Sequence, residues 1–453
     1  MTSPPAPNRT RKLGWGLLTL YGLPGMGVNF LYCLVLILYM KFATDVLGLA
    51  AGVVGLIFFA SRIWDGVSDP LIGSLSDRTS SRLGRRKTWM LASAIPLAGA
   101  ALAMWAPPRS LEGVGLTVWV GVSVVLFYTA YTLFDVPQMA LGAELTEEPK
   151  ERIRVFGARQ ILRTVGLFVA GALGAALLQD AVNPREVAFW MVLVAGAATV
   201  VLIVWAVLAL PAERADYANR GGSDLRRSLR DVWTNPHARL LLLVYFLDQL
   251  GTGSIGTLAP YAVTYVVKEP SLLSKMLIAY MVPALVSIPA WVWLGSRFPK
   301  RDLWLVAMGL TGLGFGGLFF LHEGSIGLML GSALVAGVGS GCGSTVGYAL
   351  KADVIDVDEY RTGERKEGAY FAAWNFVGKL AGGVMVGTVG VTLQVVGFEP
   401  NAEQSEGTKF AIRFLMGGVP FLLFFVGLWF FRSFSLTEAE HAAILEEMRG
   451  RSA

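Results

Sequence analysis

The stretch Leu17–Met40, LLTLYGLPGMGVNFLYCLVLILYM, is predominantly apolar and far too long for the core of a signal peptide. No convincing cleavage site follows it. About 20 apolar residues suffice to cross the hydrocarbon of a bilayer, so this run is expected to remain in the membrane as a span. Ahead of it, Pro4, Pro5 and Pro7 precede Arg9, Arg11 and Lys12, which reads as a short cytoplasmic tail. The composition extends the same reading to the whole chain. Of 453 residues, 54% are hydrophobic and 16% charged, against roughly a quarter charged in soluble domains. Such a chain cannot cover a folded surface with polar groups, so its solvent is lipid and a soluble protein is excluded. The 53 glycines fit close helix packing in a membrane.

Windows of that length place helices at 16–40, 51–75, 88–106, 114–143, 156–179 and 187–210, then at 238–267, 272–295, 302–321, 325–350, 367–396 and 408–432. The expected product is an all-α membrane protein of twelve transmembrane helices. Residues 1–210 form an N-terminal six-helix bundle and 238–432 a C-terminal one. Between them, 211–237 is a cytoplasmic linker carrying Arg214, Arg220, Arg226, Arg227 and Arg230. Residues 433–453 are a cytoplasmic tail, an amphipathic helix opening at Ser435 or Thr437 with Glu438 and Glu440 in its first turn. Lys and Arg crowd the loops on the N-terminal side of this map. The opposite loops hold only Lys41, Arg109, Arg185, Lys268, Lys275 and Lys409. That asymmetry predicts both termini in the cytoplasm and accounts for the net charge of +5 without a nucleic-acid surface. Cys33 and Cys342 lie inside apolar stretches and read as small hydrophobes, with no disulfide or metal framework.

The halves echo each other. Gly73-Ser74-Leu75-Ser76-Asp77-Arg78 followed by Arg85-Arg86 leaves the second helix, and Gly295-Ser296-Arg297 followed by Lys300-Arg301 leaves the eighth. Ala143-Glu144 and Ala352-Asp353 close the fourth and tenth in the same way. Short basic loops resemble one another by topology alone, but matched helix ends are less readily explained so. Two pseudo-symmetric six-helix bundles around a central site are the architecture of the major facilitator fold.

An ionised side chain near the bilayer centre costs at least about 2.5–3.5 kcal/mol on insertion scales, so the few inside spans are informative. They are Arg62, Asp65, Asp69, Asp135, Arg159, Arg163, Asp248 and Lys379, a balance of signs that suggests pairs around an aqueous cavity. Asp65 and Asp69 are four residues apart, on one helix face. Their repulsion calls for a cation or proton, and Ser68 with Thr129 and Thr132 would complete an oxygen-rich cage for Na⁺. Alternatively Asp65 pairs with Arg62 and Asp69 caps a helix break before Pro70. Asp135 precedes Val136-Pro137, and Arg159 on the next helix is a candidate partner. Lys379 lies among small residues, Gly378-Lys379-Leu380-Ala381-Gly382-Gly383, that leave room for a partner helix or a substrate. Asp248 either faces the cavity or pairs with Lys379. Asp77, Arg78, Arg85 and Arg86 read as a charge latch that biases one conformation, on top of their topogenic role.

At these residues the chain resembles a known family, the glycoside–pentoside–hexuronide:cation symporters. The run Trp64-Asp65-Gly66-Val67-Ser68-Asp69-Pro70-Leu71-Ile72-Gly73, then Ser76-Asp77-Arg78-Thr79 and Arg82-Leu83-Gly84-Arg85-Arg86-Lys87, carries the resemblance. Asp135-Val136-Pro137, Arg159, Asp353 through Tyr360 and Lys379 extend it over nearly the full chain. Melibiose permease and the sodium-dependent lysophospholipid transporters are relatives within this group. The resemblance implies cation binding (Na⁺, Li⁺ or H⁺) at Asp65 and Asp69 and substrate contacts at Asp135 and Arg159, with Lys379 near the cation. Two positions depart from melibiose permease: its sugar-binding acid on the first helix falls on Asn29, and its stacking aromatic on the fourth falls on Met139. Sugar recognition relies on charged hydrogen bonds and an aromatic face. These departures therefore leave two substrates open, a sugar or glycoside and a lysophospholipid or other amphiphile.

The expected function is secondary active symport by alternating access, in a monomer of the cell inner membrane. No cofactor beyond the coupling ion is expected. The three histidines, His237, His322 and His441, lie outside or at the edges of helices, and no phosphate-binding loop is visible, so neither an enzyme nor direct ATP coupling is indicated.

Overall fold

The computed structural model describes residues 13–146, 149–179, 183–211, 213, 230, 232–343, 345–363 and 367–452. The basic residues of the tail, Arg9, Arg11 and Lys12, and Arg214, Arg220, Arg226 and Arg227 of the linker lie outside them. Among the described residues the chain is helical throughout, with no strand. In chain order the helices are α1 Trp15–Asp45, α2 Ala51–Arg78, α3 Arg85–Trp105, α4 Gly113–Glu144, α5 Pro149–Gln179, α6 Pro184–Ala209 and α7 Pro236–Val266. There follow α8 Leu272–Gly295, α9 Lys300–Phe320, α10 Ile326–Gly343, α11 Val346–Thr362, α12 Glu367–Val395, α13 Glu406–Phe431 and α14 Glu438–Ser452.

Eleven of these are long and apolar enough to cross a membrane: α1 to α4, α6 to α10, α12 and α13. The fifth helix is longer than most of them, but Lys150, Glu151, Arg152, Arg154, Arg159 and Arg163 lower its hydropathy. Its start at Pro149, rather than at 156, has the same origin, because charge conceals a helix that hydropathy alone would trim. Residues 351–366 were expected as a loop, yet α11 continues to Thr362 and stops where Gly363 takes a left-handed φ of 70°. Helix-favouring Ala349, Leu350, Lys351 and Ala352 carry it past the expected end, and Gly363 is a common helix terminator.

Local chemistry sets several starts. Pro236 sits at the first turn of α7, where its missing N–H costs nothing, and the Asn235 side chain accepts from the N–H groups of His237 and Ala238. Ser405 caps α13 by accepting from Thr408 N at 3.1 Å. Proline does not break α2: Pro70 lies inside a continuous helix, so Asp69 does not cap a break there. Asp69 instead has a partner on α4.

The chain divides into two compact units. The first comprises Met1–Val35, Val67–Gly174 and Ala181–Gly221, and the second Leu36–Gly66, Ala175–Asp180 and Gly222–Ala453. In the first unit α3 packs on α4 and α6, and α1 on α6, around buried Tyr21, Trp105, Phe127, Tyr128 and Phe134. In the second, α7 packs on α12 and α13, and α10 on α8 and α9, around buried Tyr261, Phe315, Tyr370, Phe424 and Phe431. Lipid provides little hydrophobic drive between helices, so close backbone contact has to supply attraction. Gly390 of α12 does so against the outer part of α2: a Cβ there would lie 2.4 Å from the Ala51 carbonyl oxygen and 2.8 Å from Gly55 Cα.

Candidate functional site

Within the first unit, α4 and α5 bring opposite charges together. Asp135 lies inside α4 beside Pro137, and its Oδ1 accepts from Arg159 Nη2 and Arg163 Nη1, each at 2.6 Å. Arg163 therefore belongs with Arg159 as a partner of Asp135. Both guanidiniums have further contacts. Arg159 Nε donates to Gln138 Oε1 at 3.0 Å, and Arg163 Nη2 donates to Tyr131 Oη at 2.8 Å and to Asn29 Oδ1 at 3.4 Å. Asn29 in turn donates through Nδ2 to the Arg163 carbonyl at 2.8 Å, so α1 is tied to α5 at the position the resemblance singled out. Gln138 donates to the Tyr21 carbonyl at 3.0 Å, and Tyr21 Oη donates to the Gln138 carbonyl at 2.8 Å.

Four polar or aromatic groups of this mesh were not legible in the sequence: Gln138, Tyr131, Tyr32 and Tyr21. The first two are one helical turn from Asp135, at +3 and −4, and so share its face. Tyr32 stacks on Tyr131 with ring centroids 4.9 Å apart. An aromatic face thus stands beside Arg163, although position 139 holds a methionine, 37% exposed, in place of an aromatic ring. One carboxylate serves two guanidiniums, which leaves the cluster one positive charge in excess and rich in donors.

The helix 2 acids have different surroundings. Asp65, fully buried, accepts from Arg62 Nη1 at 3.2 Å, and Lys379 Nζ of α12 lies 3.7 Å from the same Oδ2. Arg62 fits there because Gly383 has no side chain, and a Cβ would meet Arg62 Cγ at 2.5 Å. The lysine is therefore a neighbour of Asp65. Asp69 accepts from Thr132 Oγ1 of α4 at 2.9 Å. Ser68 between the acids is buried. Thr129 spends its hydroxyl proton on the Val125 carbonyl at 2.7 Å.

At the end of α2 and the start of α3 the latch residues meet. Arg86 pairs with Asp77 and with Glu144, to which Nε donates at 3.3 Å, and Arg85 Nη2 donates to Glu144 Oε1 at 2.8 Å. Glu213 closes the group by accepting from the backbone N–H of Arg86 and Lys87 at 2.9 and 2.8 Å, a carboxylate at a helix N-terminus. Arg78 is exposed and stands outside this mesh. In the second unit, Asp353 on α11 pairs with Lys300 Nζ at 2.7 Å, and His441 of α14 lies against Asp353 and Asp356. Asp248 on α7 lines a cavity inside the second unit, and Lys351 is the opposing charge that acts on it.

A family model described as MFS/sugar transport protein matches residues 20–438. Among curated proteins, the chain is 27% identical to the inner membrane symporter YicJ of Escherichia coli, over 81% of this chain and 80% of that one. It is 26% identical to the isoprimeverose transporter of Lactiplantibacillus pentosus, over 93% and 89%. To the sodium-dependent lysophosphatidylcholine symporter 1-A of Danio rerio it is 25% identical, over 84% and 78%. In fold it is similar to a bacterial homologue of the human lysosomal transporter Spinster, in an inward-facing and unoccupied conformation. That match has a TM-score of 0.69 and 14% identity, covering 93% of this chain and 98% of that one. With its membrane-spanning helices and intramembrane charge clusters, the chain is an integral multi-pass membrane transporter, not an enzyme, and it belongs to the MFS/sugar transport protein family.

Proposed function

We propose that the protein is a cation-coupled symporter that carries a sugar or glycoside by alternating access. The observation that carries this reading is the Asp135 carboxylate held between Arg159 and Arg163, beside the stacked Tyr32–Tyr131 pair. Charged hydrogen-bonding groups next to an aromatic face are what a polyhydroxylated ring binds. The names of the isoprimeverose transporter and of a putative glycoside/cation symporter of Escherichia coli favour the same substrate class.

In this reading Asp65 and Asp69, with Ser68 and Thr132, hold the coupling ion, Na⁺ or H⁺. The ion offsets the repulsion of the two acids, and Lys379 takes over the charge of Asp65 when it leaves. Asn29, Asp135, Met139 and Arg159 contact the substrate, joined by Arg163. Asp77, Arg85, Arg86 and Asp353 hold one conformational state. The helix count is twelve, α5 being the further span that its charges conceal. The helices form two six-helix bundles, 1–210 and 238–432, in a monomer of the inner membrane with both termini cytoplasmic. Coupling is reciprocal, so the substrate tightens cation binding by the factor by which the cation tightens the substrate.

A second reading keeps the mechanism and changes the cargo to a lysophospholipid or other amphiphile. The exposed Met139 favours it, as does the name of the Danio rerio relative. Binding of several glycosides and a lysophospholipid to the purified protein, each with and without Na⁺, separates the two. Glycoside binding tightened by Na⁺ supports the first, and lysophospholipid binding without a glycoside signal moves the protein to the second. Asp65→Cys and Asp69→Cys are expected to abolish the cation effect on uptake while insertion is kept. Full Na⁺ stimulation in either variant would remove these acids from the site.

A further inference from the structure

Inside the second unit, α7, α8, α9, α10 and α13 line a half-open cavity of about 120 Å³. Its polar lining comes from Asp248, Gln249, Thr252, Tyr280, Thr311 and Ser340. Among the described residues the Asp248 carboxylate has no hydrogen-bond or salt-bridge partner, and Lys351 is the opposing charge that acts on it. The Lys351 ammonium itself lies over the rings of Tyr245 and Trp374, 4.3 and 5.3 Å from their centroids, so aromatic faces share in its stabilisation. A structural carboxylate in a span is normally matched by direct partners, because an uncompensated charge there is costly.

The hydroxyl groups around Asp248 have mostly committed their protons. Thr252 donates to the Asp248 carbonyl at 3.0 Å, Thr311 to the Ala307 carbonyl at 2.9 Å, and Tyr280 to Ser340 Oγ at 2.9 Å. What they offer the cavity is oxygen lone pairs. Together with the carboxylate and the Gln249 amide oxygen, they make a lining of acceptors, which suits a cation and repels an anion. Donors remain as well: the Ser340 hydroxyl, the Gln249 amide N–H groups, and the buried indole N–H of Trp304, which lines the same cavity and has no acceptor among the described residues. A water held by a cation supplies one. The volume sets the size of the ligand. Pockets for small organic molecules start at about 300 Å³, whereas one water needs only about 10–15 Å³ of such space, so this cavity suits an ion with its waters.

We propose that Asp248 is the anionic centre of a second monovalent-cation site, lined by α7 to α10 and α13 and filled by a proton or Na⁺. It is separate from the helix 2 acids and does not depend on the reading given to them. Its facing titratable groups are Lys351 and Tyr280.

The test is direct cation binding to the purified full-length protein in lipid nanodiscs, with Asp65→Asn/Asp69→Asn as the background that silences helix 2. Radioactive Na⁺ binding and the infrared carboxylic-acid band between acid and alkaline pH are both recorded, then repeated after adding Asp248→Asn. Residual Na⁺ binding that disappears with Asp248→Asn identifies Na⁺ as the ligand. A titrating carboxyl band that disappears without any residual Na⁺ binding identifies the proton. The proposal is overturned if the background shows neither signal, or if both persist after Asp248→Asn. Should Asp248→Asn fail to fold, Thr252→Val and Ser340→Ala replace it. Each is expected to weaken Na⁺ binding, or shift the titration, by about tenfold, and unchanged binding in both overturns the proposal. The single variant Asp248→Asn with helix 2 intact keeps the cation site of Asp65 and Asp69 under separate observation.

Discussion

Asp135 neutralises only half of the charge that surrounds it, and this sets what its loss should do. Asp135→Asn leaves Arg159 and Arg163 facing each other, and removing one partner of a buried pair costs about 3–5 kcal/mol. The expected outcome is a lowered melting temperature and uptake into proteoliposomes reduced at least about 100-fold. Arg163→Lys keeps the charge but loses the fork that reaches Asp135, Tyr131 and Asn29 together. Substrate affinity should fall about tenfold with little change in folding, as read by binding and thermal melts on the same preparation. The charged members of this cluster were legible in the sequence because charge is rare inside a span. Tyr131, Gln138 and Tyr32 were not, since tyrosine and glutamine also occur where nothing binds. Only the helical phase relative to Asp135 separates them. Asp65 with Lys379 was legible as the resemblance implied, whereas Lys351, whose charge opposes that of Asp248, lay in a segment read as a loop.

At the scale of the element, glycine decides how near two helices come. Gly390→Ala puts a methyl group 2.4 Å from the Ala51 carbonyl, and backbone cannot yield as a side chain can. Overpacking of this kind costs about 1–3 kcal/mol, so the variant should melt earlier. Gly382→Ala on the same helix, with nothing within 4 Å, should not. At the end of α11, Gly363→Ala forces a left-handed backbone on a residue with a Cβ, at a cost of about 1 kcal/mol. Thermal melts of the pair will show whether the α11 cap or the α12 contact matters more. Helix positions were readable from hydropathy wherever a span is uniformly apolar. The start of α5 and most of α11 were hidden for one reason: a helix that carries charge looks like a loop by composition.

For the whole molecule, the ionic group of Asp77, Arg85, Arg86, Glu144 and Glu213 ties the ends of α2 and α4 to the start of α3. Glu144→Gln removes the buried acid that both arginines share. It is expected to change how often each conformation is visited, not the substrate contacts. The rate of labelling of single engineered cysteines should shift severalfold while substrate specificity stays the same. Three helices, α1, α7 and α13, also contain a π-turn, at Leu34–Tyr39, Ala262–Val266 and Phe414–Gly418. A π-turn holds one residue more than the α-helical path needs. Elsewhere in a span, deleting a residue turns everything beyond it by about 100° and presents the wrong face to its neighbours. At these turns a single deletion should be absorbed by regular helix. Deletion scanning would then find these stretches of α1, α7 and α13 more forgiving of shortening than the regular helix beside them.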